Sequence, residues 1–347
     1  MGDVVFTTPA VRALRRAFPT ARLVYLVEQA AAPVVAANPN LDEVIVIAHA
    51  HGWRRLRDDV ALGRRLRAAR FDLAIDFHGG PRSAWLTWAT RAPVRVGYDV
   101  PGRAWMYTRV VHRPRALRPR HSVENQWDLL GAADASLSAP PDPARDRVEM
   151  PVTDAARQVV ERRLADAGLP ANGRVIVLHI SAGNPFRRWP EASFAELASR
   201  LVHGRAERWV VVSGGPSDLD AAARVIARAR QAAGSSGGRI VSGEGLSLVE
   251  LRALIDRAAL FVGGDSGPLH IAATSETPIV GLYGPTLPER SAPWRPRDGR
   301  TVSVDVGSLP CRPCDQRVCA PGDFRCLTTL PAAAVGDAAE RLLEKSR

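Results

Sequence analysis

Leu260-Phe261-Val262-Gly263-Gly264-Asp265-Ser266-Gly267-Pro268-Leu269-His270 joins a β-prone apolar run to a helical one through a glycine-rich turn. Glycines let a backbone approach a ligand closely, and Pro268 suits a first helical turn, where its missing amide hydrogen leaves nothing unpaired. The segment reads as strand, turn and helix, with the turn amides open to an anion such as a diphosphate. Asp265 is a poor neighbour for phosphate and a better one for a sugar hydroxyl, whereas His270, one turn in, can donate to a phosphate oxygen. A plain strand-to-helix turn capped by Asp265 or Ser266 accounts for the same residues without a ligand. A hydrolytic serine does not, because the nucleophile elbow needs glycine where Pro268 stands, and a chymotrypsin-like Gly-Asp-Ser-Gly belongs in an antiparallel barrel.

Outward from this segment the same unit recurs. Strands are expected at Leu23–Val27, Val44–Ile47, Leu73–Asp76 and Val94–Gly97, and again at Val175–Ile180, Trp209–Ser213, Arg239–Val241, Leu260–Val262 and Ile279–Tyr283. Helical patterns fall between them, at Ala30–Asn38, Trp53–Ala69, Glu191–Val202, Leu219–Ala232 and Leu248–Ala258, with a closing helix at Ala332–Lys345. Such alternation predicts an α/β fold of βαβ units on parallel sheets. The proline-rich stretch 136–147, with Pro140, Pro141 and Pro143, breaks the rhythm and reads as a linker. The expected domains are therefore 1–147 and 148–330, two Rossmann-like halves facing across a cleft, followed by a helix at 331–347. In such sheets ligands sit beyond the carboxyl ends of the strands.

A length of 347 residues agrees with two domains of about 150 residues each. No apolar run reaches the roughly 18 residues that cross a bilayer. The net charge of +11 admits nucleic acid, anionic lipid or phosphorylated substrates as partners, but Lys345 is the only lysine. The arginines are dispersed, without the aromatic interleaving that stacks bases, which argues against nucleic acid. The opening Met1-Gly2-Asp3-Val4-Val5-Phe6 has no basic-then-apolar secretory pattern and no myristoylation serine or threonine, so a cytoplasmic protein is expected.

Three further loops can carry chemistry. His179 to Pro190 contains Ser181, Gly183 and Asn184 in a small-residue turn, then Arg187 and Arg188, whose guanidinium forks suit phosphate oxygens. A solvated surface pair is the plainer account of the two arginines. In Ser213-Gly214-Gly215-Pro216-Ser217-Asp218 a carboxylate follows a strand, where it can accept ribose hydroxyls or simply cap a helix. Asp220 is a neighbouring alternative for the ribose. At the amino terminus Thr8 caps and Pro9 opens the first expected helix, and Asp3 lies at its head, as a general base or as an ordinary helix-end charge.

Gly2 to Ala10, Phe71 to Gly79, Arg187 to Pro190 and Asp265 to His270, four ordered motifs, together resemble glycosyltransferase family 9, the bacterial lipopolysaccharide heptosyltransferases, and the cysteine-rich stretch Cys311 to Cys326 makes the resemblance closer to the heptosyltransferase II-like branch. The resemblance implies a GT-B architecture and metal-independent, inverting transfer of heptose from ADP-heptose to a lipid-linked inner-core acceptor. It implies that Asp3 is the base and that Arg187 holds the donor phosphates. Ser181, Gly183, Asn184, Arg188, Asp218, Asp265, Ser266, Gly267 and His270 would complete the donor site, with Arg82 on the acceptor side. A monomer working at the inner face of the inner membrane is expected, with part of the positive charge facing anionic headgroups. The same fold with another nucleotide sugar or glycan acceptor, and a sugar-nucleotide-binding protein without turnover, are the alternatives.

Two features depart from the resemblance. Family members begin with an apolar strand before the Gly-Asp pair, so a first strand is expected to be missing before Met1. The four cysteines, Cys311, Cys314, Cys319 and Cys326, fall in one short stretch. Their spacing allows a structural zinc or iron–sulfur site, free thiols or a disulfide.

Overall fold

The structure, a computed structural model, describes residues 1–48, 51–112 and 120–345. Contacts divide the chain into two compact units, one of Phe6–Arg147 and one of Met1–Val5 with Val148–Arg347. The division falls inside the first helix, α1 (Gly2–Ala17).

That helix corrects the expected start at Thr8 and Pro9. It begins at Gly2, with Asp3 in its first turn, and Pro9 lies within it. A carboxylate in the first turn complements the helix dipole. Pro9 has no N–H to give to the carbonyl of Val5, so one rung of the helical ladder is missing where the two units divide. Thr7 and Thr8 are buried instead of capping, and Thr7 Oγ1 lies 2.6 Å from the Tyr25 hydroxyl.

In the unit Phe6–Arg147, β1 (Val24–Glu28) and β2 (Glu43–Ile47) pair in parallel as one sheet. β3 (Leu73–Ile75), β4 (Val94–Tyr98) and β5 (Arg109–Val111) form a second parallel sheet. Among the described residues no backbone pairing joins β1 to β3. The helix expected at Ala30–Asn38 is shorter: a 3-10 turn precedes α2 (Ala32–Val35), since Pro33 fits only near a helix start. α3 (Gly52–Ala68) and α4 (Pro81–Ala89) bury Leu66 and Leu86 against Ile45. α5 (Ser122–Ala133) lays Trp127 and Leu130 on Ala10 and Ala13 of α1. The linker stretch is anchored, because buried Asp146 accepts hydrogen bonds from Arg16 at 2.7 Å and from Arg145. Burial alone would raise its pKa, but these bonds hold it below the usual carboxylate range.

The unit containing Val148–Arg347 starts with α6 (Asp154–Asp166), capped by Thr153, and continues through β6 (Arg174–His179), α7 (Glu191–Val202), β7 (Arg208–Ser213), α8 (Leu219–Ala233), β8 (Ile240–Ser242) and α9 (Leu248–Arg257). β9 (Leu260–Gly264), α10 (Gly267–Ala272), β10 (Ile279–Leu282), α11 (Pro288–Ser291), β11 (Thr301–Val304), α12 (Arg325–Thr328) and α13 (Ala332–Lys345) complete it. Its six strands are all parallel, in the order β11-β10-β9-β6-β7-β8. The chain winds one way from β6 and the other way from β9, so the topological switch lies between these two. Ile176, Leu178, Val210, Val262 and Val280 from the strands share a core with Phe194 and Leu197 of α7, Val225 of α8 and Val335 and Leu342 of α13.

Arg208, 1% exposed, ties β7 to α13 by a two-pronged ion pair with Glu340, at 2.6 and 2.8 Å. These hydrogen bonds also hold the Glu340 pKa below its ordinary value. Glu340→Ala leaves a buried guanidinium without its partner, an arrangement that costs about 3 kcal/mol or more. Urea unfolding followed by circular dichroism is expected to show a loss of that order, and an unchanged midpoint would contradict the assignment.

Candidate functional site

The parallel register aligns one transverse row of residues: Ser213 pairs with His179, His179 with Gly263, and Gly263 with Gly281. Three of the four loops singled out from sequence, those after β6, β7 and β9, leave the sheet immediately beyond this row, on both sides of the switch point. His179 lies beneath them, fully buried, with Nδ1 3.0 Å from Ser213 Oγ and its ring stacked on Phe261. Burial pulls its pKa down to about 4 against the attraction of Asp218. It is therefore a neutral imidazole at physiological pH. No local pattern marks this role, which depends on the strand register.

In the loop after β6, Asn184 Oδ1 accepts from the Phe186 N–H and caps a short 3-10 turn that presents Arg187. Arg187 Nη1 donates to the Asp265 carbonyl at 3.0 Å and lies 3.3 Å from Asp265 Oδ2. A Cβ on Gly264 would stand 3.0 Å from the Arg187 carbonyl. Glycine at 264 thus allows the β6 and β9 loops to meet backbone to backbone. A Cβ on Gly183 would meet nothing within 4 Å, so no protein contact demands glycine there. Arg188 turns the other way, donating to the Ala182 carbonyl at 2.9 Å and lying 3.3 Å from Asp218 Oδ1. Trp189 is buried on Phe194 and donates to the Leu330 carbonyl, fixing the loop's far end.

In the loop after β9, Asp265 is 1% exposed, and its Oδ2 accepts from Thr286 Oγ1 at 2.5 Å. Its Oδ1 has no hydrogen bond and lies 3.6 Å from His270 Nε2. Ser266 precedes α10 without a side-chain cap, and Pro268 occupies its first turn. Ser266 Oγ donates to the Ser181 carbonyl at 3.4 Å, another link between the two loops. Against this turn sits the start of α1: a Cβ on Gly2 would lie 2.7 Å from His270 Cδ2, and one on Gly267 would lie 3.1 Å from Met1 Sδ. Gly2 and Gly267 are thus the small faces through which the Asp3 turn seats on the His270 turn, and Asp3 itself is exposed.

Asp218 is buried, with Oδ2 accepting from Ser181 Oγ at 2.5 Å and Oδ1 facing Arg188. Asp220, in the first turn of α8, is exposed. Arg82 belongs to the other unit, where its guanidinium donates to Asp59 Oδ1 at 3.0 and 2.5 Å, pairing α4 with α3. Near it, Asp76 of the Phe71–Gly79 motif organises its own loop, accepting from the His78 and Gly79 amides, the Ser83 hydroxyl and the Tyr107 hydroxyl.

The four cysteines are free thiols of intermediate burial. Burial pushes the Cys326 thiol up, and the other three cysteines add to the shift, so the four share one neighbourhood. Among the described residues, however, no group of three or more His, Cys, Asp or Glu side chains could hold a metal ion. The zinc or iron–sulfur site that the spacing allows is therefore unsupported. The stretch does contribute Gln316, which no sequence motif marks: its Oε1 accepts from Arg187 Nε at 2.6 Å and from Asn184 Nδ2 at 3.0 Å.

The family model of glycosyltransferase family 9 (heptosyltransferase) matches residues 60–321. Lipopolysaccharide heptosyltransferase 3 of Escherichia coli is 28% identical, covering 99% of this chain and 97% of its own length. Lipopolysaccharide heptosyltransferase 1 of Pseudomonas aeruginosa is 30% identical over 92% of this chain and 84% of its own. Among solved structures, the E. coli ADP-heptose lipopolysaccharide heptosyltransferase II superposes with a TM-score of 0.77 at 20% identity, covering 99% of this chain and 96% of that one. The E. coli heptosyltransferase WaaC with ADP gives 0.70 at 22% identity, covering 99% and 97%. These structures share the GT-B fold of two Rossmann-like halves.

Because His179 is neutral when folded but titrates near 6.5 when unfolded, the unfolded chain binds more protons between pH 6.5 and about 4. Stability is expected to fall as pH drops through that window, by on the order of 3 kcal/mol for this group. His179→Gln should flatten that part of the profile. Urea midpoints of both proteins at pH 7 and pH 5 check this, and identical pH dependence would contradict it.

Proposed function

The chain belongs to glycosyltransferase family 9, the heptosyltransferase family, and from that premise we propose that it moves heptose from ADP-heptose to a lipid A-linked inner-core acceptor of lipopolysaccharide, with inversion at the anomeric carbon. In this reading the Asp3 carboxylate takes the proton of the acceptor hydroxyl as its oxygen attacks the anomeric carbon. The bond from that carbon to the β-phosphate oxygen breaks on the opposite face, and its electrons leave with ADP. Arg187, the Ser266 and Gly267 amides and His270 meet the charge gathering on the diphosphate, a preorganised stabilisation that a metal ion supplies in other transferases. Asp265, buried behind them, orients Arg187 and faces His270.

The observation that carries this reading is the seat of Gly2 on His270, where a Cβ would come within 2.7 Å. It supports a base and a leaving-group site carried by two turns in close contact. The adenosine is assigned to the side of Asp218 and Asp220, of which exposed Asp220 has the freer carboxylate for ribose hydroxyls.

A lipid-linked acceptor brings the protein to a membrane surface, and α3 supplies a face for it. Trp53 is 75% and Leu56 56% exposed, three residues apart on one side of the helix, among Arg54, Arg55 and Arg57. An interfacial aromatic beside arginines suits anionic headgroups.

Asp3→Asn is expected to lower kcat by about a thousandfold, within the range for loss of a general base, while ADP affinity changes less than about twofold. Transfer assays beside calorimetric ADP titration check this, and retained turnover would remove Asp3 from the reaction. Consumption of UDP- or GDP-sugars in preference to ADP-heptose would move the chain to another donor, and no consumption at all would favour binding without turnover. The double variant Trp53→Ser, Leu56→Ser should lose sedimentation with anionic vesicles while transfer to a delipidated acceptor is preserved. Unchanged sedimentation would place the membrane face elsewhere.

A further inference from the structure

We infer that Gln316, carried by the cysteine-bearing stretch, is a positioning residue that aims the Arg187 guanidinium at the donor diphosphate. The inference rests on the proposed role of Arg187. That guanidinium is held at two edges: Nε donates to Gln316 Oε1 at 2.6 Å and Nη1 donates to the Asp265 carbonyl at 3.0 Å. No hydrogen bond within the described protein engages Nη2, which is left as the donor for a ligand. The same Gln316 oxygen accepts from Asn184 Nδ2, so one amide oxygen fixes both the cap of the 3-10 turn and the arginine that the turn presents.

The chemistry of the anchor matters as much as its reach. With the Asp265 carboxylate already 3.3 Å from Nη1, an amide oxygen orients the guanidinium without adding a second negative charge, whereas a carboxylate in the same place would compete with phosphate for it. The backbone of Gln316 is left-handed, φ +60°, a region that glycine or asparagine occupies more readily. A long side chain is nevertheless present there, and it reaches Arg187.

The stretch that carries Gln316 is itself seated on the site. Cys314 N–H donates to the Pro285 carbonyl at 3.1 Å, and Arg312 donates to the Thr286 carbonyl at 2.8 Å, next to the hydroxyl that holds Asp265. Phe324 meets Phe186 edge to face, with ring centres 5.1 Å apart, one residue before Arg187. Residues 312–324 thus brace the Arg187 turn from outside the sheet, which gives the stretch a function that needs no metal at its thiols.

The test is calorimetric titration of the full chain with ADP and with adenosine, for wild type, Gln316→Ala, Gln316→Met, Gln316→Glu, Arg187→Ala and the Gln316→Ala, Arg187→Ala double variant. Loss of the anchor is expected to weaken ADP binding about tenfold, the scale of one hydrogen bond to a charged group, and adenosine binding less than about twofold. Gln316→Met, which keeps the volume without the acceptor, should behave like alanine and covers the case of an alanine variant that does not fold. Gln316→Glu should weaken ADP while leaving the melting temperature unchanged or higher, a split that a purely structural residue would not give. In the Arg187→Ala background, removing Gln316 should cost nothing further. An unchanged ratio of ADP to adenosine affinity in the alanine and methionine variants would overturn the inference, as would a full penalty persisting without Arg187. A wild type that binds ADP no better than adenosine would overturn the donor reading itself, before any variant is compared.

Discussion

Everything proposed for the site depends on the row Ser213, His179, Gly263 and Gly281, where neighbouring parallel strands stand in register. Parallel strands with evenly spaced bonds release their loops from one edge, and at the switch between β6 and β9 two of those loops leave side by side. His179 makes the row a dry floor: it is neutral, bonded to Ser213 and stacked on Phe261. Above it, small residues let the loops touch. Gly264 admits the Arg187 carbonyl, and Gly2 admits the His270 ring.

On that floor the polar groups are arranged so that few are idle. Asp265 and Asp218, which the sequence suggested as contacts for sugar and ribose, are buried carboxylates already engaged by Thr286 and Arg187, and by Ser181 and Arg188. A carboxylate so enclosed orients its cationic neighbours. In the proposed reading, the groups left to face a ligand are the outer ones, Arg187 Nη2, the Ser266 and Gly267 amides, and Asp220 in the first turn of α8. Such two-layer support is what keeps a charge-stabilising site preorganised.

Much of this was legible beforehand, for identifiable reasons. Strands rich in valine and isoleucine, and helices with regular apolar spacing, announce themselves locally; α7 and α13 occupy the spans expected of them. The turn at Asp265 to His270 was legible because its glycines and proline can do little else. Thr8-Pro9 is a good local helix-start signal, and only the packing of Gly2 on His270 and the burial of both threonines outweigh it to start α1 at Gly2. Short β5 and β11, partly exposed, lack the apolar runs that mark inner strands. Gln316 was invisible because it meets Arg187 across 129 residues of chain. The cysteines drew attention by their spacing, yet proximity in sequence does not aim four thiols at one point.

A crystal structure of the full chain with ADP tests the central claim most directly. The account predicts the diphosphate between Arg187 Nη2 and the Ser266–Pro268 turn, beyond the carboxyl ends of β6 and β9, with the ribose toward Asp220. A diphosphate bound away from both the Arg187 and the His270 turns would contradict it.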